Sequence, residues 1–168
     1  AVQGTVQLDP NTSLNVTRIR QSNVTLGAGA TLVIRGSSKT VSQMNALNVA
    51  GATGAWTGTV DIMKNAMVVQ SATPLDANTT FDRMLNQAKV GSNGLAWNGP
   101  GLTSSMARDP NISQRVTAVA VVLNRNQDGN PFLTSGKFDE VPDPNFAVTV
   151  DISSVLVKYT FYGDSDLN

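Results

Sequence analysis

The sequence predicts a mainly β fold, a short parallel β-solenoid carrying one amphipathic helix and a smaller C-terminal β portion. Three observations predict it. Apolar residues alternate with period two from the start, in Val6 and Leu8, in Leu14 and Val16, then in Val24, Leu26, Ala28, Ala30, Leu32 and Ile34, and such alternation turns one face of each strand inward. Val6, Leu8, Leu14 and Val16 recur as Val24, Leu26, Leu32 and Ile34, each pair 18 residues apart, the spacing that stacks equivalent aliphatics coil over coil. The chain is rich in Asn, Thr, Ser, Gly, Ala and Val and poor in Lys and Glu, with Glu140 its single glutamate. That usage disfavours helices with charged solvent faces and suits strands joined by Gly, Asn and Asp turns. A run of antiparallel hairpins of similar spacing is the competing arrangement, which two good copies leave open.

Taken in order, residues 1–72 are expected to form the solenoid rungs and residues 73–168 a helix plus a C-terminal β portion packed on them, as one cooperative unit. A faint third copy continues the Leu8 and Leu26 column through Met44 and then Ile62. Gly51, Gly54 and Gly58 punctuate the next stretch around Trp56. Val60, Ile62 and Met67 to Val69 read as two strands joined at Lys64-Asn65, where Asn tolerates a positive φ. One helix is expected at about 79–90, capped by Asn78 or Thr79, with Phe81, Met84, Leu85 and Ala88 on one face and Gly91 as its C′ stop. A turn-rich loop through Gly94, Trp97, Asn98, Gly99, Pro100 and Gly101 follows, then one helical turn over Thr103 to Ala107. Strands resume at Val116 to Leu123, Phe146 to Ile152 and Val155 to Phe161, and Pro131, Pro142 and Pro144 make their connections irregular.

Composition bounds the function. The 168 residues carry zero formal net charge and only 14% charged side chains, so there is no basic field to hold the phosphates of a nucleic acid. The longest apolar run, Val116 to Leu123, is far too short for a transmembrane segment. The absence of cysteine rules out disulfides and thiolate metal sites. The absence of histidine removes the usual general base, the Ser-His triad and most zinc sites. Opening on Ala1 fits a mature end left by signal removal and equally an excised segment.

The segments Ala50–Gly58, Val60–Val69, Gly94–Ser105 and Ser154–Asn168, with Trp97-Asn98-Gly99 and Tyr162-Gly163-Asp164 the most distinctive, carry a resemblance. Over roughly its last two-thirds the chain resembles the C-terminal region of large planctomycete-type surface proteins that have autotransporter-associated β-strand repeats and a dockerin-like calcium module. The resemblance implies export and a β-solenoid more firmly than any activity.

Asp164, Asp166 and Asn168 have the spacing of positions one, three and five of a calcium loop, whose alternating oxygens wrap a hard cation. Ca2+ is the one cofactor so indicated, although the sequence stops before the position-six glycine and position-twelve acid. A solvated acidic tail is the competing reading. Asn124, Asn126, Asp128 and Gly129 imitate the same spacing, but Ser135 would stand at position twelve, and an Asp-Gly turn is favoured. Asp139, Glu140 and Asp143 cluster in a proline-flanked loop, where solvated acids lack the raised pKa that acid catalysis needs. Ser104-Ser105 has no neighbouring base and reads as a cap. Trp97, with Asn93 and Asn98 on the turn-rich loop, is the candidate glycan-binding set, and both Trp56 and Trp97 are weighed against a space-filling role. Sequons at Asn11, Asn15, Asn23, Asn78 and Asn111 permit surface glycans without requiring them.

The functional expectation is a secreted, non-catalytic structural or surface protein of the bacterial cell exterior that self-associates into a homo-oligomer or filament, such as a fibre, sheath or adhesive layer. Terminal rungs of a solenoid expose unpaired backbone and apolar side chains, and Val2, Val6 and Leu8 show no polar cap before them. A glycan-binding module of a surface or spike protein is the alternative.

Overall fold

The computed structural model describes residues 2–36, 41–107, 117–134, 138, 148 and 150–164. It is mainly β with one helix: β1 (Thr5–Leu8), β2 (Ser13–Val16), β3 (Arg20–Leu26), β4 (Thr31–Ile34), β5 (Val41–Val49), β6 (Gly51–Ala52), β7 (Ala55–Trp56), β8 (Thr59–Asp61), β9 (Ala66–Gln70), α1 (Pro74–Ser92), β10 (Gly101–Thr103), β11 (Thr117–Leu123) and β12 (Ser154–Phe161). From β1 to β10, apart from β6 and β7, successive strands alternate between a six-stranded sheet, ordered β1-β3-β5-β9-β12-β11, and a four-stranded sheet, ordered β10-β8-β4-β2, and β11 and β12 both join the larger one. β6 and β7 form a separate antiparallel hairpin. The four-stranded sheet is wholly parallel, whereas the larger one is parallel from β1 to β9 and antiparallel through β12 and β11.

The sequence repeat is a spatial register. Val6 pairs with Val24, Leu8 with Leu26, Leu14 with Leu32 and Val16 with Ile34, all in parallel strands, which excludes antiparallel hairpins for this stretch. Between the two sheets these positions extend into aliphatic columns: Val24 meets Leu47, Leu26 meets Val49, and Leu32 meets Val60, which meets Leu102. Of these seven residues all but Val49 are no more than 1% exposed, so each contributes on the order of 1.5–3 kcal/mol of transfer free energy.

The third copy departs from the expected column. Met44 lies against Gln21 and Val69, not Leu26, and Ile62 follows β8 in the other sheet. The link from β4 to β5 spans residues 35–40, against 17–19 between β2 and β3, so the 18-residue period lapses and the hydrophobic phase shifts. Nor do β8 and β9 form a hairpin, since each belongs to a different sheet. The left-handed residue at that corner is Met63, at φ 49°, with its N–H on Asp61 Oδ1 at 2.9 Å. Asn65 is instead buried, and its Nδ2 donates to Ile34 O at 2.8 Å and Ile62 O at 3.0 Å. It ties one corner of the chain to the next, as buried backbone acceptors require a partner.

The helix starts five residues before the expected 79, at Pro74, and ends at Ser92. Thr73 caps it: its Oγ1 accepts from Asp76 N at 3.2 Å and donates to Asp76 Oδ2 at 2.7 Å. Pro74 occupies the first turn, where a missing N–H costs nothing and its fixed φ is already helical. The stop is also displaced. Asn93, left-handed at φ 40°, ends the helix, while Gly91 lies inside its last turn. The inward face is Ala77, Met84, Gln87, Ala88 and Gly91, leaving Leu85 47% exposed, contrary to its expected inward place.

At the C-terminal end β12 pairs with both β9 and β11. One face of these strands joins the main core through Val119, Val155 and Val157, and the other carries a second cluster of Val41, Ala66, Val68, Leu156, Phe138 and Val150. The strand expected at Phe146 to Ile152 is not formed by its described residues Val148, Val150, Asp151 and Ile152. Asp151 Oδ1 accepts from Ser153 N at 2.7 Å and Asp151 N donates to Ser154 Oγ at 2.9 Å, a side-chain turn that competes with strand geometry.

Candidate interaction surfaces

Among the described residues, one end of the two parallel stacks is uncovered. β1 and β2 are edge strands of the larger and the smaller sheet, and both come from the first circuit of the chain. Val6, Leu14 and Val16 are only half-buried there, whereas Val24, Leu32 and Ile34 beneath them are fully buried. The flanking hydrogen bonds set the phase of each edge. Asn23 N and Gly27 N donate to Gly4 O and Leu8 O, and Thr31 N and Arg35 N donate to Thr12 O and Val16 O. In a parallel ladder alternate residues bond to one side, so Thr5 and Gln7 of β1 and Ser13 and Asn15 of β2 turn their peptide groups outward. Neither strand contains a charged residue or proline, the usual devices that discourage an edge from pairing.

The opposite end of the smaller sheet is closed by α1. Its last turn lies against the edge of β10 so closely that a Cβ on Gly91 would stand 2.0 Å from Leu102 O, and one on Gly101 2.6 Å from Gln87 O. Gly101 is itself at φ 95°, so glycine is required there twice over. The loop after the helix folds back beneath it, with Trp97 N donating to Ser92 O at 2.9 Å and Gly99 N to Gly91 O at 3.0 Å. These bonds satisfy carbonyls that the helix terminus leaves without partners. Gln87, 1% exposed on the same face, has no partner for Oε1 or Nε2 among the described residues.

A groove of about 340 Å³ runs between the C-terminal half of α1 and the ends of β11 and β12. Leu85, Leu95, Trp97, Phe161, Tyr162 and Asp164 are among the residues that line it. It brings the sequence-predicted Trp97 and Asp164 to one place. Trp97 is 4% exposed; its Nε1 donates to Tyr162 Oη at 3.2 Å and its carbonyl accepts from Thr103 Oγ1 at 2.8 Å. The ring is a structural plug, and the open aromatic faces are Phe161 and Tyr162, 66% and 44% exposed. Sequence reading passed over this adjacent aromatic pair, whose signal is its position at the end of a strand already supplied with inward apolar residues. Asn93 and Asn98 are exposed, and Asn93 Nδ2 donates to Asn98 Oδ1 at 2.8 Å.

Asp164 accepts a hydrogen bond from Thr160 Oγ1, while Asp166 and Asn168 lie outside the described residues. Among the described residues no cluster of three or more His, Cys, Asp or Glu side chains is poised to hold a metal. Asp139, Glu140 and Asp143 also lie outside them. In the second calcium-like segment, Asn126 Oδ1 accepts from Asp128 N at 3.0 Å and Asn130 N at 2.9 Å, with Gly129 at φ 81°. The turn itself thus uses the oxygen that a cation would need. Ser104 donates through Oγ to Met63 O at 2.6 Å and accepts from Ala107 N at 3.1 Å, a cap on a turn. Trp56 is buried, and its Nε1 donates to Asn86 Oδ1 at 2.8 Å, which also accepts from Gly54 N at 2.9 Å, pinning the β6–β7 hairpin to the helix. Burial lowers the pKa of the Arg83 guanidinium, a group that stays charged at physiological pH and does no acid–base work. No helix among the described residues is long and apolar enough to cross a membrane.

No protein-family model, curated protein or solved structure matches the chain.

Proposed function

We propose that this chain is a non-catalytic structural module of the bacterial cell surface, a short parallel β-solenoid that acts by self-association. The observation that carries the reading is the unprotected first circuit, where two uncharged edge strands and the half-buried Val6, Leu14 and Val16 meet solvent together. Parallel register, alternation between two sheets and stacked aliphatic columns support the solenoid description. Export follows from the resemblance of its later segments to surface proteins. Light scattering across a concentration series tests the reading. The weight-average mass should rise above that of the 17.7 kDa chain as concentration increases, and a constant monomer mass up to about 100 µM, where even weak specific contacts populate, defeats it.

A second reading, glycan binding, is favoured by the open rings of Phe161 and Tyr162 beside a groove of about 340 Å³. Sugar C–H faces stack on such rings. On a glycan array Tyr162→Ala and Phe161→Ala should each lose the signal, whereas Asn98→Ala should keep it. An array on which the unaltered protein binds nothing removes this reading.

A further inference from the structure

We propose that the occupant of the open end is the same end of a second copy, so that the protein forms a closed two-fold dimer, head to head, and not a fibre. The inference rests on the self-association reading and gives it a geometry. A rung-on-rung fibre needs a second end at which the edges of both sheets are free, and α1 covers the smaller sheet's far edge, leaving there only β11, the antiparallel edge of the larger sheet. The peptide edge of β10 faces the helix backbone at Gly91, where a carbonyl already occupies the space a Cβ would need, so no incoming β2 edge can pair there. With one such two-sheet end per molecule, a contact that pairs both sheet edges at once is isologous and closes at two copies.

The open end suits its own image. A two-fold axis perpendicular to the strands sets β1 against β1 and β2 against β2 of the second copy, antiparallel in both cases. The outward peptide groups of Thr5, Gln7, Ser13 and Asn15 then gain partners, and the six-stranded and four-stranded sheets run on through the interface. Two-fold self-pairing brings a charge beside the axis close to its own copy, which it would repel; Thr5–Leu8 and Ser13–Val16 carry none. The same contact covers Val6, Leu14 and Val16, the three core-column residues that remain half-buried.

Sedimentation equilibrium of the full chain, alone and as Gln7→Pro and Gln7→Lys, tests the proposal. Gln7 is exposed and turns its N–H away from β3, so proline deletes an intermolecular donor without removing a β1–β3 bond, and lysine places like charges across the axis. The unaltered protein should fit a monomer–dimer equilibrium with nothing larger, and each variant should weaken it at least tenfold while keeping its far-UV circular dichroism. Because the chain has no cysteine, Gln7→Cys gives a second readout: oxidation should yield a covalent dimer, and Ser92→Cys at the closed end should not. An open-ended series of species overturns the two-fold dimer while leaving self-association standing. A dimer indifferent to both Gln7 variants and cross-linked through Ser92→Cys overturns the assigned surface, and a monomer at every concentration overturns both readings.

Discussion

Gly91→Ala is expected to destabilise the fold by about 2–4 kcal/mol, although in an ordinary helix the same change would be worth about 1 kcal/mol in the opposite direction. The added Cβ would stand 2.0 Å from Leu102 O, and neither partner can yield cheaply. The carbonyl belongs to β10, which is held by Ile62 N on Thr103 O at 3.0 Å and Gly101 N on Gly58 O at 2.8 Å; the helix backbone is held by the returning loop at Trp97 and Gly99. Thermal unfolding should show a loss of roughly 10 °C at this chain length, with Lys89→Ala, two residues away and exposed, within about 0.5 kcal/mol of the unaltered protein. The consequence reaches assembly. If the helix lifts from β10 to relieve the clash, a second sheet edge is uncovered, and the variant should form species larger than the unaltered protein does at equal concentration. A variant as stable as the parent would mean that α1 does not seat on β10 in this way, and the closed end would lose its basis.

The parts of this fold legible in the sequence are those set by short-range periodicity. Period-two alternation and the recurrence of Val6, Leu8, Leu14 and Val16 at Val24, Leu26, Leu32 and Ile34 determined which residues pair, because an uninterrupted parallel register preserves the side-chain phase from one strand to the next. Once residues 35–40 lengthened one link and the β6–β7 hairpin entered another, no fixed spacing survived to predict that Leu26 meets Val49 or that Leu32 meets Val60. The helix start is written in Thr73-Pro74 and Asp76, a cap, a first-turn proline and an acid on the N-terminal dipole, whereas the amphipathic spacing begins only further along. Gly91 looked like a stop because a glycine after an apolar run commonly is one; its actual reason, a carbonyl from a strand ten residues later, is tertiary. Trp97 had the composition of a binding residue and the environment of a core residue, and only the position of Tyr162, 65 residues downstream, separates the two. Asparagine was the least legible residue type. The same side chain serves the exposed turn at Asn126 and the buried junctions at Asn65 and Asn124, and propensity alone favours the turn.

Asn124→Leu is expected to cost about 2–4 kcal/mol, since three part-buried peptide groups would lose their partners together. Asn124 is fully buried at the end of β11. Its Oδ1 accepts from Leu133 N at 2.8 Å, and its Nδ2 donates to Leu133 O at 2.9 Å and Asp151 O at 3.0 Å. The amide thus holds the segment after β11 and the one before β12 as a strand neighbour would, and it secures Leu133 against the outer cluster. Asn124→Asp separates this account from a packing effect. Aspartate keeps the acceptor toward Leu133 N but turns a second oxygen toward two carbonyls, so burial and the lack of a donor would raise its folded pKa above the unfolded value of about 4. A raised carboxyl pKa means the folded state binds the extra proton over that window, so stability must fall as pH rises through it and recover as pH is lowered. Chemical unfolding at pH 4 and pH 7 should therefore show the Asn124→Asp deficit relative to the unaltered protein growing with pH, while the Asn124→Leu deficit stays constant. Equal deficits for aspartate at both pH values would place its carboxyl in water, and the junction would then owe its order to something other than this amide.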